Sequence, residues 1–124
     1  MLRLVPLLAL VSGCLFDGPT DYRVSWSTAV RSSTVPDQDV LTYVDAAHDP
    51  WRDGYEGSML LTYPSGHDEA IVCAHLVYRY TTTEEQFGHS IQVEMNDWIS
   101  EEQCKTVDLD AAEPAAHLDL VVTR

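Results

Sequence analysis

The chain has 124 residues, with seven Lys and Arg against twenty Asp and Glu, a formal net charge of −13. Such a surface repels nucleic-acid backbone and anionic membrane alike, and draws cations and basic partners instead. The length allows one domain with a modest hydrophobic core.

The first segment reads MLRLVPLLALVSGCLF. Arg3 and the α-amino group are positive, Leu4 to Val11 is apolar apart from Pro6, and Ser12 and Gly13 are small. That order is the signature of a secretory signal. The apolar run is shorter than the about 20 residues that a membrane-spanning helix needs. Its end, Val11-Ser12-Gly13-Cys14, resembles the lipobox of bacterial and archaeal lipoproteins. The resemblance implies thioether lipidation of Cys14, cleavage before it, and attachment to a membrane through that lipid. Cysteine suits this chemistry, because its thiolate takes an alkyl group near neutral pH. An ordinary secreted form is the rival reading of the same residues. The expected organisation is a signal peptide over 1–13, a lipidated cysteine and short tether over 14–21, and a single domain over 22–124. Its place is extracytoplasmic, at a cell surface or in a periplasm.

Cleavage before Cys14 would remove Arg3, leaving six basic against twenty acidic side chains, net −14. Lysine occurs once, at Lys105, and valine outnumbers isoleucine. This pattern resembles the proteins of halophilic archaea, in which salt screens self-repulsion. Codon usage in a GC-rich bacterium gives a similar composition. With Cys14 set aside, Cys73 and Cys104 remain. Export places them in an oxidising compartment, where an even pair reads as a disulfide. Closing the 31-position loop between them contributes about 3–4 kcal/mol by chain-entropy arithmetic.

Past the tether FDGPTD, Tyr22 to Val30 alternates, with Tyr22, Val24 and Trp26 on one face, as a half-buried strand does. A loop fixed by Pro36 leads to a second strand, Val40 to Val44. Asp45 to Gly57, DAAHDPWRDGYEG, is read as a long connection with one helical turn at Asp45–His48. Ser58 to Tyr63 is a third strand. Ala70 to Thr83 is apolar on both faces over its first half, the mark of a central strand. A turn at Glu84–Gly88 precedes a strand over Ser90 to Glu94. Ser100 to Gln103 has capping-box spacing and predicts one or two helical turns. Strands over Thr106 to Leu109 and Leu118 to Thr123 follow. About seven short strands with turns between them predict an all-β fold, a small antiparallel β-sandwich or barrel. It is immunoglobulin-like in outline only: Trp98 lies just before Cys104, whereas the immunoglobulin pattern places its tryptophan on the strand after the first cysteine.

Candidate sites are sparse. His48, His67, His75, His89 and His117 lack zinc-ligand spacing. His75, on the face of Cys73 and Val77, reads as a hydrogen-bonded core histidine. Asp37 and Asp39, and Asp108 and Asp110 on one strand face, read as solvated carboxylates without the glycine and spacing of a calcium loop. G-x-S-x-G is missing, and a spatial Ser/His/Asp triad is open to any spacing. No catalytic residue, metal ligand or cofactor site is assigned. The expected contact residues are Asp49, Trp51, Arg52 and Tyr55, because aromatics held in a polar loop supply large area at low entropy cost. The alternative for Trp51 is a lid over one end of the sandwich. Together these features point to a non-enzymatic, membrane-anchored surface lipoprotein with a structural or binding role and a protein or glycan partner. The rivals are a small secreted hydrolase with a histidine-carboxylate site and a subunit of an envelope, transport or viral assembly.

Overall fold

A computed structural model describes residues 18–64 and 66–123. The expected signal peptide, 1–13, and the lipobox-like Val11 to Cys14 lie outside the described residues. The eight strands are β1 (Thr20–Thr28), β2 (Val40–Val44), β3 (Trp51–Asp53), β4 (Gly57–Tyr63), β5 (Glu69–Gln86), β6 (His89–Trp98), β7 (Gln103–Asp108) and β8 (Ala115–Leu120). They form a sandwich of two sheets. The smaller has the order β4-β1-β8, and the larger has β3-β2-β5-β6 with β7 also on β5. Pairing is antiparallel except between β1 and β8, which run parallel.

Alternation fixes the inner faces. Tyr22, Val24 and Trp26 of β1, Met59 and Leu61 of β4, and Leu118 and Leu120 of β8 face Val40 and Val44 of β2, Ala70, Val72, Ala74 and Leu76 of β5, and Val107 of β7. Removing this apolar area from water is the main stabilising term. Gly57 pairs with Trp26, and a Cβ there would stand 2.8 Å from the indole Cζ2. The absent side chain at Gly57 makes room for the largest core residue.

β5 organises the larger sheet. On one edge Ala74–Tyr78 pairs with β2. On the other, Glu69–Ala74 pairs with β7 and Val77–Gln86 pairs with β6. Two strands therefore share one edge, and the chain must step out between them. It does so at Ile99–Glu102. Here the Leu76 N–H is accepted by the Ser100 Oγ at 2.8 Å in place of a strand carbonyl, while the Ile99 C=O accepts the Thr123 N–H of the segment that follows β8. Ser100 caps a strand group where a capping box would have capped a helix. The expected helical turns are absent because the backbone groups here are spent on β5 and on the segment after β8.

Other departures are local. Residues 45–57 are not one long loop, since β3 forms inside them by pairing with β2. The expected helical turn is a single hydrogen-bonded turn, Ala47 N–H to Val44 C=O. Asp110 is off the strand, and its N–H is accepted by the Asp108 carboxylate at 2.9 Å. The disulfide is present: Cys73 and Cys104 are directly opposite on β5 and β7, with Cα atoms 4.0 Å apart. It staples neighbours in one sheet, unlike the immunoglobulin bridge between sheets.

β5 and β6 run on past the predicted turn at Glu84 and close through Phe87 and Gly88 alone. Both residues have positive φ, 53° and 79°. A two-residue turn of this hand matches strand twist and favours Asn-Gly. Phenylalanine in this region is strained, and Phe87 is 99 % exposed, so no packing compensates it. Phe87→Asn should therefore raise the unfolding free energy by about 1 kcal/mol in denaturant melts.

Candidate functional site

The four expected contact residues are split three ways. Asp49 and Arg52 line a cleft of about 540 Å³ with His48, Leu60 and Thr62. Arg52 Nη1 donates to the Asp49 and Trp51 carbonyl oxygens at 3.0 and 2.7 Å and lies 3.8 Å from the Asp49 carboxylate, so it ties its own hairpin loop together. Tyr55 is in the core, 4 % exposed, and its hydroxyl accepts the Ser32 N–H at 3.1 Å. Trp51 alone reaches the outer face of the larger sheet.

That outer face carries a cluster of rings which the sequence did not bring together. Pairing places Trp51 of β3 beside Tyr43 of β2, Tyr43 beside His75 of β5, and Trp98 of β6 beside Val77. Trp51 meets Tyr43 edge-on with centroids 4.8 Å apart, and the Arg79 guanidinium lies over the Trp51 ring at 4.4 Å. Trp98 stacks on His75 at 3.6 Å and 21°. The rings bury Val77 and His75 from outside, a second small apolar layer on the reverse of the core. Trp98 remains 55 % exposed. One of its faces rests on His75 and the other is open to solvent. Around it stand Arg79, which donates to the Asn96 side-chain oxygen at 2.9 Å, and Glu94, 3.5 Å from Arg79. A flat, fixed aromatic face with polar donors and acceptors beside it can stack a sugar ring or a partner's side chain. Trp98 continues the Gln92, Glu94, Asn96 phase of its strand. A large aromatic on an otherwise polar face was the signal for it.

His75 lies beneath this surface and is 5 % exposed, and its Nδ1 has no hydrogen-bond partner. It is buried but not hydrogen-bonded there, contrary to expectation. Burial pushes its pKa down, and the carboxylate of Asp45 opposes this in part. A lowered folded pKa means that the folded state binds fewer protons than the unfolded one. The stability is full above the unfolded value of about 6.5 and falls as the pH drops through the lowered one. His75→Phe keeps the ring and removes the titration. The variant should gain on the native chain in denaturant melts as pH falls from 7.5 to 5, and the gap between them should stop changing above about 6.5.

A second constellation lies on the outer face of the smaller sheet. Ser25 and Ser27 of β1 have their hydroxyls 2.7 Å from His117 Nδ1 and 3.0 Å from Nε2. The Asp119 carboxylate is 3.3 Å from Nε2. A carboxylate only accepts, so it favours the proton on Nε2 and leaves Nδ1 to accept from Ser25. β1 is central in its sheet, however, and its backbone N–H groups are used in ladders to β4 and β8. The backbone N–H groups of β1 are therefore not free to serve as oxyanion donors beside Ser25.

Among the described residues, one group of potential metal ligands gathers, Cys73, Glu102 and Cys104. Its two sulfurs are bonded to each other, so it presents no thiolate. His67 lies edge-on to Tyr63 at 4.9 Å. No helix among the described residues is long and apolar enough to cross a membrane.

The fold and the ring cluster define a small disulfide-stapled β-sandwich with an aromatic outer face. The chain matches no known protein family, no curated protein and no solved structure.

Proposed function

We propose that this protein is a lipid-anchored, non-enzymatic surface lipoprotein whose sandwich works as a binding module. The anchor rests on Val11-Ser12-Gly13-Cys14 at the end of an apolar run. The binding role rests on one observation: Trp98 is stacked on a buried ring and holds its other face to solvent. Trp51, Tyr43 and Arg79 extend the surface, so the working face includes one of the residues expected from sequence, Trp51. Its occupant is a glycan or a protein side chain that stacks on indole. The domain operates on the outer side of a membrane, and the immunoglobulin-like outline is the finer reading of its architecture.

Intact-mass analysis of the membrane fraction should find a chain that begins at a lipidated Cys14. Cys14→Ser should move it to the soluble fraction. Glycans and proteins crosslinked at the membrane should then be titrated against Trp98 emission, and Trp98→Ala should weaken binding by about 2 kcal/mol while melts show the domain still folded. An unmodified Cys14, or binding indifferent to Trp98→Ala, would overturn the reading.

The hydrolase reading is favoured by one specific observation, the Ser25–His117–Asp119 arrangement. It requires that a fluorophosphonate label Ser25 and that Ser25→Ala abolish the labelling. Labelling at Ser25 would make this the principal function.

A further inference from the structure

Among the described residues, β5 beyond Tyr78 has no strand on its β2 side, and β6 is paired with β5 alone. Residues 79–96 therefore stand out from the sandwich as a two-stranded arm. Its faces differ. One carries Arg79, Thr81, Thr83 and Glu85 opposite Asn96, Glu94, Gln92 and Ser90. The other carries Tyr80 and Thr82 opposite Met95 and Val93, with Ile91 nearer the tip. Among the described residues no strand of the smaller sheet pairs with β6, and on this second face Tyr80, Thr82, Val93 and Met95 are half-buried while Ile91 is exposed. Tyr78 stacks on Tyr80 at 4.7 Å, and Tyr80 donates to Asp97 at 3.1 Å, so the stripe is held in order.

The edge of β6 is as informative as its face. The turn at Phe87 and Gly88 makes Gln86 and His89 the closing hydrogen-bonded pair. Alternation then points the backbone groups of Ser90, Gln92, Glu94 and Asn96 away from β5. Natural edges are usually blunted by lysine, proline or a bulge. β6 reads HSIQVEMNDW and has none of these. The face of Gln92, Glu94 and Asn96 carries Glu85 and Glu94 against Arg79, and Glu84 stands on the other face beside Ile91, so the arm is net negative.

We propose that the open edge of β6 receives an extended segment of a partner protein that alternates apolar and basic side chains, laid beside it as an added strand. Its main-chain groups pair with those of Ser90, Gln92, Glu94 and Asn96. Its apolar side chains continue the row of Ile91, Val93 and Met95. Its basic side chains lie on the other face, along Gln92, Glu94 and Asn96. Strand addition of this kind takes affinity from the backbone and specificity from the alternating side chains. A second copy of this chain is the poorer occupant, because it brings a net charge of −13 against −13 and sets β6 carboxylates against β6 carboxylates.

The test uses the full chain and three capped decapeptides: alternating valine and lysine, alternating valine and glutamate, and the valine–lysine peptide N-methylated at every residue. Amide hydrogen exchange is followed residue by residue. The valine–lysine peptide should slow exchange at Ser90, Gln92, Glu94 and Asn96 at least tenfold, leaving Ile91, Val93 and Met95, already paired with β5, little changed. The other two peptides should not protect. Gln92→Pro should weaken binding at least tenfold with the hairpin retained, because proline is tolerated where an edge N–H faces solvent. Equal binding by the N-methylated peptide would reduce the contact to charge attraction and overturn the proposal. So would absence of protection by any peptide, or protection of the same amides that rises with protein concentration alone, which would assign the edge to a second copy.

Discussion

One strand is longer than the sandwich can cover. At 18 residues β5 extends about 60 Å, whereas the strands facing it have six to nine. Only its first half can be buried on both sides. The two-strand edge, the break at Ser100 and the arm all follow from this mismatch. Where the facing sheet ends, the apolar pattern on both faces of β5 gives way to threonines and glutamates, and β6 takes over from β7 along the same edge. The break between them needs an acceptor for the Leu76 N–H, since a buried donor left alone costs about 1–3 kcal/mol. Ser100 provides it from its side chain and so frees the Ile99 carbonyl for Thr123. The break between two strands thereby also holds the segment that follows β8.

The rings on the outer face depend on the same strand. His75 and Val77 project outward from the part of β5 that is buried within, so this stretch is apolar on both sides. Such a strand needs a second cover, and β3, β2 and β6 supply it with Trp51, Tyr43 and Trp98. Cover and contact surface are in this sense one object. The indole that shields His75 is the one that meets solvent.

Much of the fold was legible because alternation is a local signal. Val40 to Val44 has its boundaries in the sequence as in the structure, and the double-sided pattern from Ala70 to Val77 marked the central strand. The disulfide followed from compartment and parity rather than geometry, and the register of β5 on β7 agrees with it. β3 was illegible because Trp-Arg-Asp has little intrinsic preference, and only pairing with β2 makes it a strand. Glu84 to Gln86 looked like turn residues for the same reason, and pairing with β6 overrides them. The candidate site was harder still. Trp51 drew attention as an aromatic among charges, but Trp98 is 47 positions away in sequence and joins the same ring cluster, through Tyr43 and His75, only by sheet register. Tyr55 misled because a buried tyrosine and a contact tyrosine look alike when turn residues surround both.

The parallel pairing of β1 with β8 has a mechanical consequence. The chain enters the fold at Thr20 through β1, the middle strand of its sheet, and β1 is held along one side by β4 and along the other by β8. Tension applied from upstream acts along the strand axis. It loads both ladders in shear, so many hydrogen bonds resist together instead of opening one at a time as at a peeled edge. A strand held along both edges in this way resists such tension along most of its length.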